Sequence, residues 1–221
     1  MAHHWPAGRR QFIQSIGFGA ALLTTRGLFA QTLTETARLT EGPFYPDRLP
    51  LDVDSDLLVI NDAITPAVGE VTYLSGRILT TSGEPVRNAT VEIWQCDARG
   101  SYIHSRGRNP QSLDGNFQGF GRFETGSSGE YAFRTIKPVP YTLRGQFRAP
   151  HIHMAIDRNG RRIHTTQAHI RGHADNPRDG VLSRLDASAR ETVLVDFRKR
   201  PGSRLGELAA TFDVVISQRA R

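Results

Sequence analysis

The hydrophobic positions of this chain follow the period of β-strands from about residue 71 onward. Six segments combine β-branched or aromatic residues with apolar–polar alternation, and turn clusters such as SGEP and GSSG separate them. The predicted strands are 71–80, 88–95, 130–136, 151–157, 191–197 and 210–216. Short strands at these intervals, with little helical periodicity, predict an all-β fold, a β-sandwich of mainly antiparallel strands.

Two connections between the predicted strands are long. They cover residues 104–119 and 167–187 and are rich in Asn, Asp, Gly, Pro and His. Loops longer than about 12–15 residues are usually functional or disordered, so we expect these two to form the walls of a site. One short helix is predicted within 183–190. The sandwich is therefore the catalytic or binding domain over 71–221, preceded by an N-terminal arm over 31–70.

The first thirty residues have the layout of an export signal. Arg9 and Arg10 precede an apolar stretch over 15–23, and small and polar residues follow it. The paired arginines resemble the twin-arginine signal. We therefore expect 1–30 to direct export to the periplasm, the alternative being an amphipathic N-terminal helix. The apolar stretch is too short to span a membrane.

Composition narrows the function classes. The chain has 221 residues, 38% apolar and 23% charged, which is typical of a folded domain. Its net charge of +6 falls to +3 when residues 1–30, which contain three arginines and no acid, are set aside. The remaining charges are spread along the chain, which argues against nucleic-acid binding. The single cysteine, Cys96, excludes an intrachain disulfide and a Cys-based zinc site, so a metal would need His, Tyr, Asp or Glu.

The strongest chemical signal is a pair of histidines on one predicted strand. His151 and His153 are two residues apart, so both imidazoles face the same side of the strand. Tyr141 precedes them by ten residues, and Tyr102 follows the strand that contains Trp94. Two imidazoles and two phenolates would suit a hard, highly charged ion such as iron(III). The alternative for the two histidines is a purely structural pair.

Other residues give weaker signals. His169 and His173 lie in a predicted loop with a glycine between them, so we expect a surface role rather than a second metal site. His104 is two residues from Tyr102 and within reach of the same pocket. Cys96 follows the Trp94 strand and is expected to be a small buried residue rather than a nucleophile.

Three stretches of sequence carry a family resemblance. They are WQCDARGSYIH, GRFETGSSGEYAFRTIKPVPY and FRAPHIHMAI, in this order between residues 94 and 156. The chain resembles the intradiol ring-cleavage dioxygenases, the catechol and protocatechuate 3,4-dioxygenase family. Weaker similarity extends upstream to TEGPFYPD at 40–47 and downstream to Gln167.

The resemblance implies an iron(III) enzyme that uses O2 to cleave a catechol-type ring between its two hydroxyl-bearing carbons, giving a muconate-type dicarboxylate. The implied iron ligands are Tyr102, Tyr141, His151 and His153. Tyr141 matches the ligand that the substrate displaces, and it would accept a proton from the catechol. Arg148 matches an arginine beside the substrate ring, where it would stabilise negative charge. The alternative for Arg148 is a salt bridge or a hydrogen bond that anchors a loop. Gln167 matches a glutamine on the oxygen side of the pocket.

Two other functions stay open from the sequence. One is a non-catalytic exported β-sandwich that binds a partner through a repurposed metal site. The other is an iron(II) extradiol enzyme, which needs two histidines and a carboxylate, with Asp157 the acid on the histidine strand. Because this chain contains both tyrosines and both histidines, it would act alone or as a homo-oligomer, unless a second subunit completes the pocket.

Overall fold

The structure is a computed structural model that describes residues 32–60, 65–106, 112–143 and 145–217. The predicted signal over 1–30 lies outside these residues. The strands are β1 Val71–Thr80, β2 Ala89–Trp94, β3 Phe120–Glu124, β4 Glu130–Ile136, β5 Tyr141–Leu143, β6 Gln146–Arg148, β7 His151–Arg158, β8 Arg161–Ile170, β9 Leu194–Val195, β10 Phe197–Lys199, β11 Leu208–Thr211 and β12 Val214–Ile216. The helical segments are two 3-10 turns, Asn176–Arg178 and Leu182–Arg184, and one short helix, α1, Ala187–Glu191.

Two five-stranded sheets form the described part of the fold. The first has the order β10-β11-β1-β12, with β4 also paired to β1; the second has the order β3-β2-β7-β8-β9. A separate hairpin joins β5 and β6. The pairings of β1 with β11, of β1 with β12 and of β8 with β9 are parallel, and the other six described pairings are antiparallel. The predicted sandwich is confirmed, but its sheets are mixed rather than purely antiparallel.

The main apolar core lies between the two sheets. Leu74 and Ile78 of β1 face this core from the first sheet, and Ile152 and Met154 of β7 face it from the second; all four are fully buried. Burying a large aliphatic side chain stabilises a fold by about 1.5–3 kcal/mol. The opposite face of β7 is also buried, although it points away from the core. That face carries His151 and His153, so it positions the candidate site on the outside of the second sheet.

Four predicted strands match the structure within one residue at each end. They are 71–80, 88–95, 130–136 and 151–157. The predicted strand 210–216 is divided between β11 and β12. Between them, the carbonyl of Phe212 accepts a hydrogen bond from the Tyr131 hydroxyl at 2.5 Å, and Asp213 accepts one from the backbone of Arg77. Phe212 N still donates to Ser75 O of β1 at 2.8 Å, so these bonds add to a ladder that is interrupted only in part.

The predicted loop over 167–187 is wrong at its start, because β8 continues to Ile170. Both faces of β8 carry polar residues, so the strand lacks the apolar alternation that identifies one. The predicted helix over 183–190 is only the single turn α1, which begins where the Asp186 carboxylate accepts a hydrogen bond from Ala189 N at 2.8 Å. The predicted strand over 191–197 is replaced by the end of α1 and the short strands β9 and β10.

The described parts of the loop 104–119 contain no helix or strand, as expected. The arm ahead of β1 lies against both sheets through backbone hydrogen bonds. Thr36 N donates to Val215 O at 2.9 Å, and Leu39 N donates to Thr165 O at 2.9 Å. Among the described residues, no helix has the length and apolarity to cross a membrane.

Candidate metal centre

His151 and His153 bring their imidazoles together on the outer face of β7. Each side chain is about 1% exposed, and the two Nε2 atoms are 3.1 Å apart. His151 Nδ1 lies 2.6 Å from the carbonyl oxygen of Ala149. Because a carbonyl only accepts, we assign the proton of His151 to Nδ1, which leaves the lone pair on Nε2. Two ring nitrogens that converge in this way can bind one ion.

Two tyrosines close the site from different elements. Tyr102 lies in the loop after β2, where the carboxylate of Asp97 accepts hydrogen bonds from Arg99 N and Ser101 N at 2.9 Å and so holds the turn. Tyr141 begins β5. The two phenol rings meet edge to face with centroids 5.3 Å apart.

Each phenol ring also contacts one of the two imidazoles. The ring centroid of Tyr141 is 5.6 Å from that of His151, and the centroid of Tyr102 is 6.1 Å from that of His153. The Tyr102 hydroxyl is buried and has no hydrogen-bond partner among the described residues. The four side chains that the sequence singled out therefore converge on one place.

Burial sets the protonation states of these groups. It raises the pKa of Tyr102 well above its ordinary value, and the neighbouring Tyr141 adds to this effect. Burial also raises the pKa of Tyr141, although the Arg148 guanidinium opposes it. The pKa values of both His151 and His153 are held well below the ordinary value, mainly by burial. At neutral pH the imidazoles are therefore neutral and offer lone pairs, whereas the phenols must lose protons before they can bind a cation.

Arg148 and Gln167 belong to a buried hydrogen-bond network next to the site. Arg148 Nε forms an ion pair with Asp179 Oδ2 at 2.9 Å, and Arg148 Nη2 donates to Gln167 Oε1 at 2.7 Å. Gln167 Nε2 donates in turn to Thr40 O of the arm at 2.8 Å. In the β5–β6 hairpin, the backbone of Arg148 lies directly opposite that of Tyr141. The guanidinium is thus fixed at the site by an acid that the sequence analysis did not identify.

Asp179 holds this network through four accepted hydrogen bonds. Besides Arg148, its Oδ2 accepts from Ala149 N at 2.8 Å, and its Oδ1 accepts from Val181 N and Leu182 N at 2.9 Å. The residue is fully buried. Asp179 stands in the middle of the predicted loop 167–187, where the sequence gives no sign of its contact with β6.

His169 is buried, which contradicts the surface role expected for it. It lies on β8 directly opposite His151, and the two rings stack with centroids 5.3 Å apart. Burial lowers the pKa of His169 to about 4. Gln167 and His169 are two residues apart, so in a strand both side chains face the same side. Extending the strand to residue 170 would therefore have placed both of them at the site. His173 lies beyond the strand and is half-buried, and its Nδ1 accepts from Asp175 N.

His169 also belongs to a second group of metal-binding residue types. His151, His169 and Asp179 each offer one possible ligand atom, and these three atoms lie within 4.8 Å of one another. The Asp179 oxygens, however, already accept four hydrogen bonds and face the Arg148 cation. A metal there would have to displace these donors. The pair of His151 and His153 with the tyrosines is therefore the better candidate for a metal-binding set.

Three further residues shape the site. Trp94 lies flat on His153, with ring centroids 4.9 Å apart and an interplanar angle of 6°, and Phe44 stacks on Tyr102 at 4.8 Å. Gly42 has a φ of +73°, and a Cβ there would lie 3.3 Å from His153 Cε1. These contacts fix the ring planes, and none of them is apparent from residue type alone.

Two weaker expectations have clear outcomes. His104 is buried and tilted against Phe44 at 5.8 Å, and its Nδ1 accepts a hydrogen bond from Arg106 N. Cys96 is buried, as expected, and burial raises the pKa of its thiol to about 12. The thiol is therefore not a nucleophile at neutral pH.

Comparisons with known proteins point to one family. A family model described as "Dioxygenase" matches residues 40–218. The chain is 32% identical over 194 residues to the protocatechuate 3,4-dioxygenase beta chain of Burkholderia cepacia, which covers 85% of this chain and 81% of that protein. It is 30% identical to the alpha chain from Pseudomonas putida, over 84% of this chain and 93% of that protein. The solved structure of catechol 1,2-dioxygenase from Acinetobacter sp. ADP1 superimposes with a TM-score of 0.63 at 25% identity, covering 82% of this chain and 62% of that one.

Proposed function

Because this chain belongs to the dioxygenase family and is an intradiol ring-cleavage dioxygenase, we propose that it is a non-haem iron(III) enzyme that acts on a catechol-type ring. It uses O2 to cleave the bond between the two hydroxyl-bearing carbons and releases a muconate-type dicarboxylate. The observation that carries this proposal is the convergence of the His151 and His153 Nε2 atoms, 3.1 Å apart, on imidazoles that contact the rings of Tyr102 and Tyr141.

The donor set fits iron(III). Tyr102 Oη is buried without a hydrogen bond among the described residues, and the Nε2 atoms of the two imidazoles lie 3.1 Å apart. We assign Tyr102, Tyr141, His151 and His153 as the ligands, since phenolate oxygen is a ligand that iron(III) accepts in proteins. When bound, iron(III) withdraws electron density from the chelated diol and so makes the ring reactive towards O2.

Tyr141 has the properties of a residue that leaves the metal and takes up a proton. It is less buried than Tyr102, and it lies at the start of a short two-stranded hairpin rather than within either large sheet. Burial raises the pKa of its phenol. A Tyr141 phenolate would therefore be a strong base, able to accept one proton from an incoming catechol at its Oη atom.

Arg148 and Gln167 would line the side of the pocket next to Tyr141. The guanidinium is fixed by Asp179, so its charge does not need to be reoriented as negative charge builds up on the diol. Gln167 is oriented by Arg148 and by the carbonyl of Thr40. We propose that Arg148 stabilises the anionic ring and that Gln167 shapes the oxygen side.

The candidate substrates follow from the relatives. The relatives from Burkholderia cepacia and Pseudomonas putida are named as protocatechuate dioxygenase chains, and the structural relative is named as a catechol dioxygenase. We therefore propose a catechol-type diol as the substrate. We further propose that residues 1–30 direct the protein to the periplasm through the twin-arginine route.

A visible absorption spectrum of the purified, iron-loaded protein tests the proposal. Phenolate-to-iron(III) charge transfer predicts a red-brown band that shifts when catechol or protocatechuate is added without oxygen. Oxygen uptake and identification of the product would then define the cleavage. A colourless protein that carries one iron per chain would refute the assignment of the tyrosines as ligands.

Variants make this test specific. Tyr102→Phe and Tyr141→Phe should each weaken or shift the band. The matched control is Tyr73→Phe, because Tyr73 lies on β1 and donates to Glu207 Oε1 at 3.0 Å. The control should leave the band unchanged. An equal loss of colour in all three variants would show that the spectrum reports folding and not ligation.

A further inference from the structure

The arm segment 40–47 contacts the candidate metal centre although it forms no helix or strand. The ring of Phe44 stacks on that of Tyr102 with centroids 4.8 Å apart, and a Cβ at Gly42 would lie 3.3 Å from His153 Cε1. Among the described residues, no backbone group of 40–47 forms a hydrogen bond with another backbone group. Contacts of side chains therefore hold this segment against the site.

A buried carboxylate, that of Glu92 on β2, is the centre of these contacts. Its Oε2 accepts hydrogen bonds from Tyr45 Oη at 2.9 Å and from Arg162 Nη2 at 2.8 Å, and its Oε1 accepts one from Arg122 Nε at 2.7 Å. The Arg162 guanidinium also pairs with Glu41 and lies over the Tyr45 ring at 5.2 Å. Two residues of the segment are thus tied to Glu92, Tyr45 directly and Glu41 through Arg162.

The two ends of the segment have contacts of their own. Thr40 O accepts a hydrogen bond from Gln167 Nε2 at 2.8 Å, and Asp47 Oδ2 accepts one from Ser105 Oγ. Asp47 is exposed, so water competes for its bond. Glu92 is 1% exposed, and its bonds are protected from water. The middle of the segment, which contacts the candidate metal centre, therefore depends on Glu92.

The Tyr45 ring, which this hydrogen bond fixes, packs against Trp94. The two rings meet edge to face with centroids 5.1 Å apart, and Trp94 in turn lies flat on His153 at 4.9 Å. Glu92 and Trp94 are two residues apart on β2, so both side chains lie on the outer face of the sheet. A continuous row of contacts therefore runs from Glu92 through Tyr45 and Trp94 to His153.

His153 has no hydrogen bond that would orient its ring from the side away from Nε2. His151 Nδ1 lies 2.6 Å from Ala149 O, whereas His153 Nδ1 is buried without a partner among the described residues. A histidine that binds a metal is almost always oriented by a hydrogen bond at its other ring nitrogen. The orientation of His153 therefore depends on packing, and Trp94 supplies a stacked contact for it.

From these contacts we propose that Glu92 is a positioning residue of the candidate metal centre. It holds Tyr45 and the arm segment 40–47 in place, and Tyr45 keeps Trp94 flat on His153. The imidazole of His153 thereby keeps the orientation that brings its Nε2 to 3.1 Å from that of the neighbouring histidine. This inference rests on the proposed function, because it takes His153 as a metal ligand.

Two variants with matched controls test this role. Glu92→Gln keeps the shape of the side chain but removes its charge and one acceptor, and Tyr45→Phe removes only the hydroxyl. A similar cluster lies at the first sheet, where Glu207 Oε1 accepts from Tyr73 Oη at 3.0 Å and Arg200 lies over the Tyr73 ring at 4.4 Å. Glu207→Gln and Tyr73→Phe are therefore the controls. Tyr45 and Tyr73 are both half-buried, which makes the tyrosine pair the closer match.

Cleavage by chymotrypsin after Phe44 measures whether the arm has been released. Phe44 is 3% exposed, so the full-length protein should be cut slowly there. Cleavage follows the population of the open form when opening and closing are fast. Since a hydrogen bond to a charged group is lost, we expect Glu92→Gln to be cut about tenfold faster than the wild type. Tyr45→Phe should be cut faster by a smaller factor, and the two controls at the wild-type rate.

Titration of the same full-length proteins with iron(III), supplied as its nitrilotriacetate complex, gives a readout at the metal centre. Bound iron is measured by elemental analysis and the visible band by absorption. Replacing a residue that orients a metal ligand typically lowers metal affinity by about 10–100-fold. We expect Glu92→Gln to need at least about tenfold more iron(III) for half-saturation, with a smaller change in Tyr45→Phe and none in either control.

Two results would overturn the proposal. One is cleavage of Glu92→Gln at the wild-type rate, because the arm would then not depend on this acid. The other is faster cleavage with unchanged iron(III) affinity in both variants, because Glu92 would then only anchor the arm. Tyr45→Phe decides the question if Glu92→Gln does not fold. A wild type that binds iron(III) without a visible band would instead refute the tyrosine ligands, and the elemental analysis would still test Glu92.

Discussion

Replacing Asp179 by asparagine tests whether the buried network holds the candidate site together. The carboxylate accepts four hydrogen bonds, one of them from the Arg148 guanidinium, and the side chain is fully buried. An asparagine has one acceptor oxygen and an amide group that can only donate. Some of the four donors would therefore lose their acceptor; these donors belong to Ala149, Val181, Leu182 and Arg148. The buried guanidinium would also lose its counter-charge.

The expected loss of stability is about 3–5 kcal/mol. Removing one partner of a buried ion pair costs this much, and the lost backbone hydrogen bonds are included in that figure rather than added to it. Asp213→Asn is the matched control, because Asp213 accepts from the backbone and the guanidinium of Arg77 but is 37% exposed. An exposed pair of this kind contributes about 0–1 kcal/mol.

Urea unfolding at pH 7 measures both variants against the wild type. Burial alone would raise the pKa of Asp179, but the hydrogen bonds from the Leu182 N–H and Arg148 lower it overall. Because the folded-state pKa lies below the ordinary value of 3.8, the contribution of Asp179 is complete above that pH and declines only in stronger acid. A loss in Asp179→Asn no larger than that of the control would refute the reasoning.

Three further predictions concern single positions. Burial lowers the pKa of His164 from 6.5 to about 4, so this imidazole should account for up to about 3 kcal/mol of the stability that the wild type loses as the pH falls from 6.5 to 4, and His164→Leu should lose that much less in urea titrations at both pH values. Gly42→Ala should destabilise the fold by about 1–2 kcal/mol through backbone strain, and should also weaken metal binding through contact with His153. Gly160→Ala has a similar φ but open space, so it should cause the strain alone and leave the metal affinity, measured by titration, unchanged. Cys96 should resist iodoacetamide at pH 8 in the folded protein and react fully in urea, as mass spectrometry would record.

The sequence predicted the strands that the core determines. β1 and β4 are recognisable because each packs one face on the core and pairs with the other over seven residues. β8 escaped prediction because its outer face is not solvated. Gln167 and His169 occupy that face, and the arm residue Leu39 hydrogen-bonds to Thr165 within the strand. A strand whose buried face carries polar residues shows no alternation of apolar and polar positions, so the sequence pattern does not identify it.

The candidate site likewise contains one part that the local sequence predicts and one part that only the fold brings together. The spacing of His151 and His153 is local, so the period of a strand is enough to place both imidazoles on one face. Asp179 contacts Arg148 across 31 positions of chain, and its neighbours DG and VLS indicate only a turn. Its importance comes from the combination of burial and four donors, and two of these donors, Arg148 Nε and Ala149 N, belong to residues about thirty positions earlier in the chain. The meeting of the two imidazoles that we propose as metal ligands could thus be predicted from the sequence, whereas the residue that orients Arg148 could be identified only from the fold. This difference is why Asp179→Asn is the sharpest test of how the fold supports the site.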